Sequence, residues 1–362
     1  MTRKVLVAGA LGVVGRAVLQ LLEPCEEIGL VGLSRRAPDF ATRAAVARVD
    51  LREAKATARA LAPHRDTSHL VYAALHERPE LVRGWQDPEQ IAANRRMLEN
   101  LLDALEEAPL AHVTLLQGTK AYGVHLGAPI RVPAREDAPH RAHANFYWEQ
   151  EDLLRARAAS RGFAFTIFRP QVVLGLASGS AMNPVASLGA FALLRRERGL
   201  PLVFPGHPHA LTECTDARLL ARAVAWAWDA PGAAGEIYNV TNGDVAVWSE
   251  LFPALADHFG MELGPPETLR PSEAMPREAP LWKEIAARHG LREPDLARLI
   301  GLSWQYADVL WANPRLPERP ALVSTIKLRR AGFGDCIDTQ ECLLELLEAY
   351  AAAGYFPRRS DA

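Results

Sequence analysis

A short apolar run, Val5-Leu6-Val7-Ala8, leads straight into Gly9, Gly12 and Gly15, and an apolar helical pattern follows over residues 14–22. A G-x-x-G-x-x-G turn between a strand and a helix leaves few folds open. The first glycine permits the tight turn, the second lets backbone approach a pyrophosphate, and the third lets helix and strand pack closely. Glycines alone are weak evidence, but strand, turn and helix in this order are the context the motif requires. The segment predicts a dinucleotide cradle formed by Gly9, Gly12, Val13, Val14 and Gly15.

Further apolar runs occur at 28–33, 46–49, 69–74, 113–116 and 163–168, with helical patterns between several of them. Met97, Leu98, Leu101, Leu102 and Leu105 form one apolar stripe at helical spacing. Strands alternating with helices predict an α/β fold, a Rossmann-type doubly wound parallel sheet covered on both faces. Beyond residue 175 the alternation weakens and Pro, Gly and Trp become frequent. The expected division is a dinucleotide-binding domain over 1–175 and a smaller, mostly helical substrate lobe over 176–362. Ile237-Tyr238-Asn239-Val240 is expected to return to the main sheet as a strand, and 262–280 reads as a surface loop.

Composition narrows the function. With 362 residues the chain can bury a sizeable core, and its net charge of −2 points to neither nucleic acid nor an anionic membrane as partner. Cys25, Cys214, Cys336 and Cys342 are too few and scattered for a disulfide framework or a zinc site. No stretch approaches the roughly 20 apolar residues of a membrane span. Met1-Thr2-Arg3-Lys4 runs into a strand rather than a secretory h-region, so the expected compartment is the cytoplasm.

The end of the second strand bears on the cofactor. Sites for NAD place an acidic residue there to hold the ribose hydroxyls. Here the sequence reads Ser34-Arg35-Arg36, and two guanidinium groups suit a 2′-phosphate. The expected cofactor is NADPH, the alternative being that both arginines are merely solvated. Asp50 and Leu51 follow the third strand and are placed to meet the adenine, although Asp50 could equally cap the next helix.

The chemistry turns on a lysine out of its usual place. Short-chain dehydrogenases carry Y-x-x-x-K on one helix, but Tyr147 is followed by Glu151 at the lysine position. Lys120 instead follows the 113–116 run, at the carboxyl end of a parallel strand, where open α/β sheets place their ligands. Tyr147 opens the helical segment 148–158, at a separation from Lys120 that resembles the usual serine-to-tyrosine spacing.

These residues, with Gln117-Gly118-Thr119-Lys120-Ala121-Tyr122, Asn145-Phe146-Tyr147-Trp148-Glu149-Gln150-Glu151-Asp152 and Phe168-Arg169-Pro170, give the chain a specific resemblance. It resembles the progesterone 5β-reductase and iridoid synthase-like enone reductases, an atypical branch of the extended short-chain dehydrogenases. The resemblance implies that Lys120 and Tyr147 are catalytic. It also implies that Ala74, Gln117, Gly118, Pro170, Gln171, Val172 and Val173 line the cofactor, the last three through backbone contacts to the nicotinamide. Leu75, Met182, Asn183 and Phe333 become pocket residues on the same ground. Trp148 and Leu75 depart from the plant pattern, a difference that bears on steroid or monoterpene specificity and not on the core chemistry.

The implied reaction is reduction of the C=C bond of a small α,β-unsaturated carbonyl compound, with Tyr147 and Lys120 stabilising charge on its oxygen. A close Lys120 would favour tyrosinate at Tyr147. The competing readings are a carbonyl reductase or epimerase of the extended type, and an NADPH-sensing regulator without turnover. His207-Pro208-His209 resembles a metal pair but lacks a third ligand, so no metal is expected. A homodimer is compatible with the chain, and the sequence leaves assembly open.

Overall fold

The computed structural model describes residues 3–127, 129–138, 142–207, 209–312 and 319–358. Eleven strands lie along them: β1 (Lys4–Ala8), β2 (Gly29–Ser34), β3 (Ala45–Arg48), β4 (His69–Tyr72), β5 (His112–Leu116), β6 (Ala164–Pro170), β7 (Val173–Leu174), β8 (Leu211–Thr212), β9 (Thr215–Asp216), β10 (Glu236–Val240) and β11 (Ala246–Val247). Seven of them form one parallel sheet in the order β10-β6-β5-β4-β1-β2-β3. The order reverses at β1, so the crevice beyond β1 and β4 is where a doubly wound sheet takes its ligand. Central strands β1 and β4 are buried almost throughout because helices cover both faces, whereas edge strand β3 is only half-buried.

On one face Val5, Val7 and Val71 pack with helices Val13–Leu22 and Ala217–Asp229. On the other, Leu6, Leu70 and Val113 pack against Met97, Leu98, Leu101 and Leu102 of helix Pro88–Ala104. That helix starts where the sequence dictates: the Asp87 side chain accepts from the backbone N–H of Glu89 and Gln90, and Pro88 takes the first position. A third core, built around Phe191, Trp248, Trp282 and Trp311, fills the second half of the chain. The 262–280 segment is not all loop. It contains a helical turn, Pro271–Ala274, and a 3-10 turn, Met275–Glu278, because Met275 is buried against that third core.

Candidate active site

The glycine turn has the crowding that a dinucleotide cradle needs. Gly9 has φ +80°, and a Cβ there would stand 2.6 Å from the Ala73 carbonyl oxygen. A Cβ on Gly15 would meet the Gly9 carbonyl oxygen at 2.2 Å. Gly12 is the N-cap of helix Val13–Leu22 and offers no side-chain cap, so its first-turn N–H groups point out of the turn. Val13 is buried and Val14 partly so. These features fit a pyrophosphate held by backbone.

Beside the turn, Arg35 is exposed; a hydrogen bond from Arg52 holds the Asp50 carboxyl below its ordinary range, and the charge of Arg35 adds to it. Arg36 reaches across the cleft. Its guanidinium donates to the Leu11 carbonyl at 3.3 Å and to the Ser178 carbonyl at 3.1 Å, while Ser34 Oγ accepts from its N–H. Asp50 does not cap a helix. It accepts from the Arg52 N–H at 3.0 Å and pairs with that guanidinium at 2.6 Å, and Glu53 stands at the N-cap instead. Leu51 is buried in the core, and its carbonyl accepts from Asn100. Arg52 is a further cation at this edge that the sequence reading missed.

Lys120 lies in a 3-10 turn, Thr119–Tyr122, directly beyond β5. Tyr147 lies in the first turn of helix Phe146–Arg161, which begins two residues earlier than the 148–158 pattern. Asn145 joins them: its Oδ1 accepts from the Tyr147 N–H at 3.0 Å and its Nδ2 donates to the Lys120 carbonyl at 3.3 Å. The motif's asparagine is therefore a helix cap and a bridge between the two candidate residues.

The tyrosine hydroxyl abuts Gly118, where a Cβ would stand 3.0 Å from it. It has no hydrogen-bond partner among the described residues. Burial, then the charge of Glu77, then Tyr306, push the phenol well above its ordinary pKa, with Arg169 opposing. Tyr147 is therefore a protonated donor. The expectation of a tyrosinate induced by Lys120 does not hold: burial and the Glu77 carboxylate raise the phenol, and the cation that opposes them is Arg169 rather than Lys120.

Burial pulls the Lys120 ammonium down to about 8, with Glu77 pulling the other way. Its Nζ lies 4.0 Å from the centre of the Trp85 ring and 3.8 Å from Met182 Sδ. Leu75 packs on the cluster of Ala121, Phe146, Tyr147 and Trp148. Helix Ser303–Leu310 closes the site from the second half of the chain, since Gln305 binds the backbone of Leu81 and Pro79 on the loop after β4.

Glu151 holds structure where a lysine would hold a proton. Its carboxylate pairs with Arg169 at 3.2 Å and with Arg155 at 3.1 Å. Arg169 is fully buried and also donates to Gln117 Oε1 at 2.9 Å, and Gln117 Nε2 donates to the Tyr147 carbonyl at 3.1 Å. The Gln117 side chain is thus committed to the tyrosine helix.

Among the remaining predicted residues, Ala74 packs at the edge of a core and the Pro170 carbonyl faces Gly118. Gln171 donates its backbone N–H to Val240, and its carbonyl accepts from the Thr215 hydroxyl. Val172 accepts from the Thr215 N–H, and Val173 pairs with Thr215 in the β7–β9 ladder.

Two pocket residues are corrected. Asn183 is fully buried as the N-cap of helix Pro184–Glu197 and binds Gly175 and Tyr350. Phe333 packs on Trp226 in the core beneath β10, away from Lys120 and Tyr147. Met182, by contrast, touches the Lys120 ammonium. Glu77, Trp85 and Tyr306 were missed because no periodicity or motif marks them, and only folding brings them to Lys120 and Tyr147. Pro208 lies outside the described residues, and among those described no group of three or more His, Cys, Asp or Glu could hold a metal ion.

A dinucleotide cradle with a buried phenol and ammonium at the carboxyl edge of a parallel sheet defines a nicotinamide-dependent oxidoreductase of the short-chain type. The profile of the NAD dependent epimerase/dehydratase family matches residues 5–241. The chain is 30% identical to an (S)-8-oxocitronellyl enol synthase of Nepeta racemosa, over 97% of this chain and 91% of that one. It is 31% identical to a 3-oxo-Delta(4,5)-steroid 5-beta-reductase of Arabidopsis thaliana, over 97% and 92%. Its fold resembles that of UDP-glucose 4-epimerase from Thermus thermophilus in complex with NAD, with a TM-score of 0.65, 20% identity, and 97% and 99% of the two chains covered. The chain belongs to the NAD dependent epimerase/dehydratase family and, within it, to the progesterone 5β-reductase and iridoid synthase-like group. No helix among the described residues is long and apolar enough to cross a membrane.

Proposed function

We propose that the chain is an NADPH-dependent reductase of the C=C bond of small α,β-unsaturated carbonyl compounds. The observation that carries this reading is the protonated, unpartnered Tyr147 hydroxyl, on a helix tied through Asn145 to the turn that carries Lys120 and whose usual lysine is a buried Glu151. Bound NADPH supplies a hydride. Tyr147 donates a hydrogen bond to the substrate's carbonyl oxygen, where negative charge grows as hydride reaches the β-carbon. A phenol harder to ionise than free tyrosine lends that hydrogen bond without surrendering its proton. Lys120 adds positive charge near the same oxygen, which favours the transition state over the ground state. A proton from solvent then ends on the α-carbon, which leaves a saturated carbonyl compound.

The carbonyl-reductase alternative needs a proton relay through a lysine on the tyrosine helix. Glu151 offers none, since its carboxylate is held by two arginines. The two relatives, an enol synthase and a 5-beta-reductase of a 3-oxo-Delta(4,5)-steroid, support conjugate chemistry.

Incubation with NADPH and a 2-cyclohexenone-type substrate, followed by mass spectrometry and NMR, tests the proposal. The saturated ketone is the expected product, and the allylic alcohol as main product would overturn the reading. Tyr147→Phe and Lys120→Ala should each lower turnover by about 10²-fold or more.

A further inference from the structure

Lys120 is buried next to a carboxyl group that it does not touch. No carboxylate oxygen of the described residues lies within 4.0 Å of its Nζ. The ammonium instead sits 4.0 Å above the Trp85 ring. Glu77 lies near the N–H edge of the same indole. Its Oε2 accepts from Gln90 Nε2 at 2.6 Å. Its Oε1 and Trp85 Nε1 are both buried without a hydrogen-bond partner. The indole N–H faces the carboxyl closely enough to stabilise its ionised form, yet stops short of hydrogen-bond geometry.

We propose that Glu77 and Trp85 are positioning residues that hold Lys120 in place as a charged ammonium within the buried site. The face of an aromatic ring attracts a cation, most strongly once both are desolvated. A carboxylate at the N–H edge polarises the indole and enriches that face. The carboxylate's charge also acts directly on the ammonium across the same gap. A direct ion pair would consume the ammonium's donors, whereas charge delivered across the ring leaves them free for a substrate oxygen.

Burial raises the Glu77 carboxyl above its ordinary range, with the Lys120 charge and then the Gln90 and Trp85 contacts opposing it, and burial lowers Lys120, with Glu77 opposing, so each charge holds the other. Tyr147 faces Glu77, Tyr306 and Arg169. With Glu77 ionised, Lys120 stays protonated up to about 8; without that charge burial acts unopposed and the lysine loses its proton at lower pH. The task given to the ammonium rests on the enone-reductase reading, but its location and charge do not.

The chain has five lysines, Lys4, Lys55, Lys120, Lys283 and Lys327, so the ε-carbon signals of ¹³C-labelled lysine resolve individually. The Lys120 signal is assigned by its loss in Lys120→Arg. Its titration midpoint should fall by at least about one pH unit in Glu77→Gln, recover in part in Glu77→Asp, and fall in Trp85→Phe, which keeps a ring but removes the N–H. The alkaline limb of NADPH-driven enone turnover should move to lower pH in parallel, with NADPH affinity unchanged. An unmoved Lys120 midpoint in both Glu77→Gln and Trp85→Phe overturns the proposal, whatever the enzyme reduces. A shifted midpoint in a protein that reduces no enone at any pH would retain it and refute the function instead.

Discussion

At the scale of the residue, Gly118 sets the position of the reacting hydroxyl. Its backbone is fully extended, so conformation does not demand glycine; space does. A Cβ would stand 3.0 Å from Tyr147 Oη, closer than ordinary van der Waals contact. The phenol is backed by Phe146 at a ring separation of 4.7 Å and has little room to retreat. Gly118→Ala should displace the hydroxyl by a few tenths of an ångström and cut turnover roughly 10-fold, with thermal stability nearly unchanged. Steady-state kinetics beside a melting curve checks this, and unchanged turnover would show that the hydroxyl's placement is not critical. The same glycine illustrates what a motif conceals. Gln117-Gly118 is legible as a strand end, but the atom the glycine makes room for comes from a helix about thirty residues on.

At the scale of the element, helix Phe146–Arg161 is anchored to the sheet by charge rather than by a strong apolar face. Glu151 pairs with the fully buried Arg169 of β6, and Gln117 links that guanidinium to the first turn of the helix. Removing one partner of a buried pair leaves the other charge uncompensated, which costs about 3–5 kcal/mol. Glu151→Ala should therefore destabilise the fold by that order, measured by urea unfolding; a loss below about 1 kcal/mol would count against the anchor. Glu151→Lys restores the Y-x-x-x-K pattern on paper. It should give a less stable protein, because it sets a second cation against Arg169.

The strands and long helices were legible because burial imposes a period on the sequence. The glycine turn, the edge arginines and the position of Lys120 were legible because each sits at a strand end, and Tyr147 because it opens a helical pattern. Asn183 and Phe333 were misplaced, since a resemblance carries residue identity but not the direction of a side chain. Glu77 and Tyr306 carry no local signal at all: one follows β4 and the other arrives on a helix from the far end of the chain.

At the scale of the whole molecule, the two halves are joined across the cofactor cleft and through the sheet. Both arginines are exposed, and Arg36 links the glycine turn at Leu11 to Ser178 in the second half. The two arginines should therefore behave differently. Arg35→Ala should weaken NADPH binding by roughly 1.5–3 kcal/mol and leave NADH unaffected, as expected for a lost contact to a 2′-phosphate. Arg36→Ala should weaken both cofactors, because it loosens the turn itself. Calorimetric titration of both nucleotides decides, and equal losses of NADPH and NADH in Arg35→Ala would refute the assignment. The sheet is shared as well: β10 pairs with β6 along its whole length, and helix Ala217–Asp229 packs on helix Val13–Leu22. That sharing has a consequence during synthesis. About 65 residues separate the end of β6 from the start of β10. At roughly 5–20 residues per second, β6 spends about 3–13 s as a bare sheet edge on the ribosome. An unpaired edge invites pairing with another chain. The nascent protein is thus most prone to aggregate in the interval before β10 emerges.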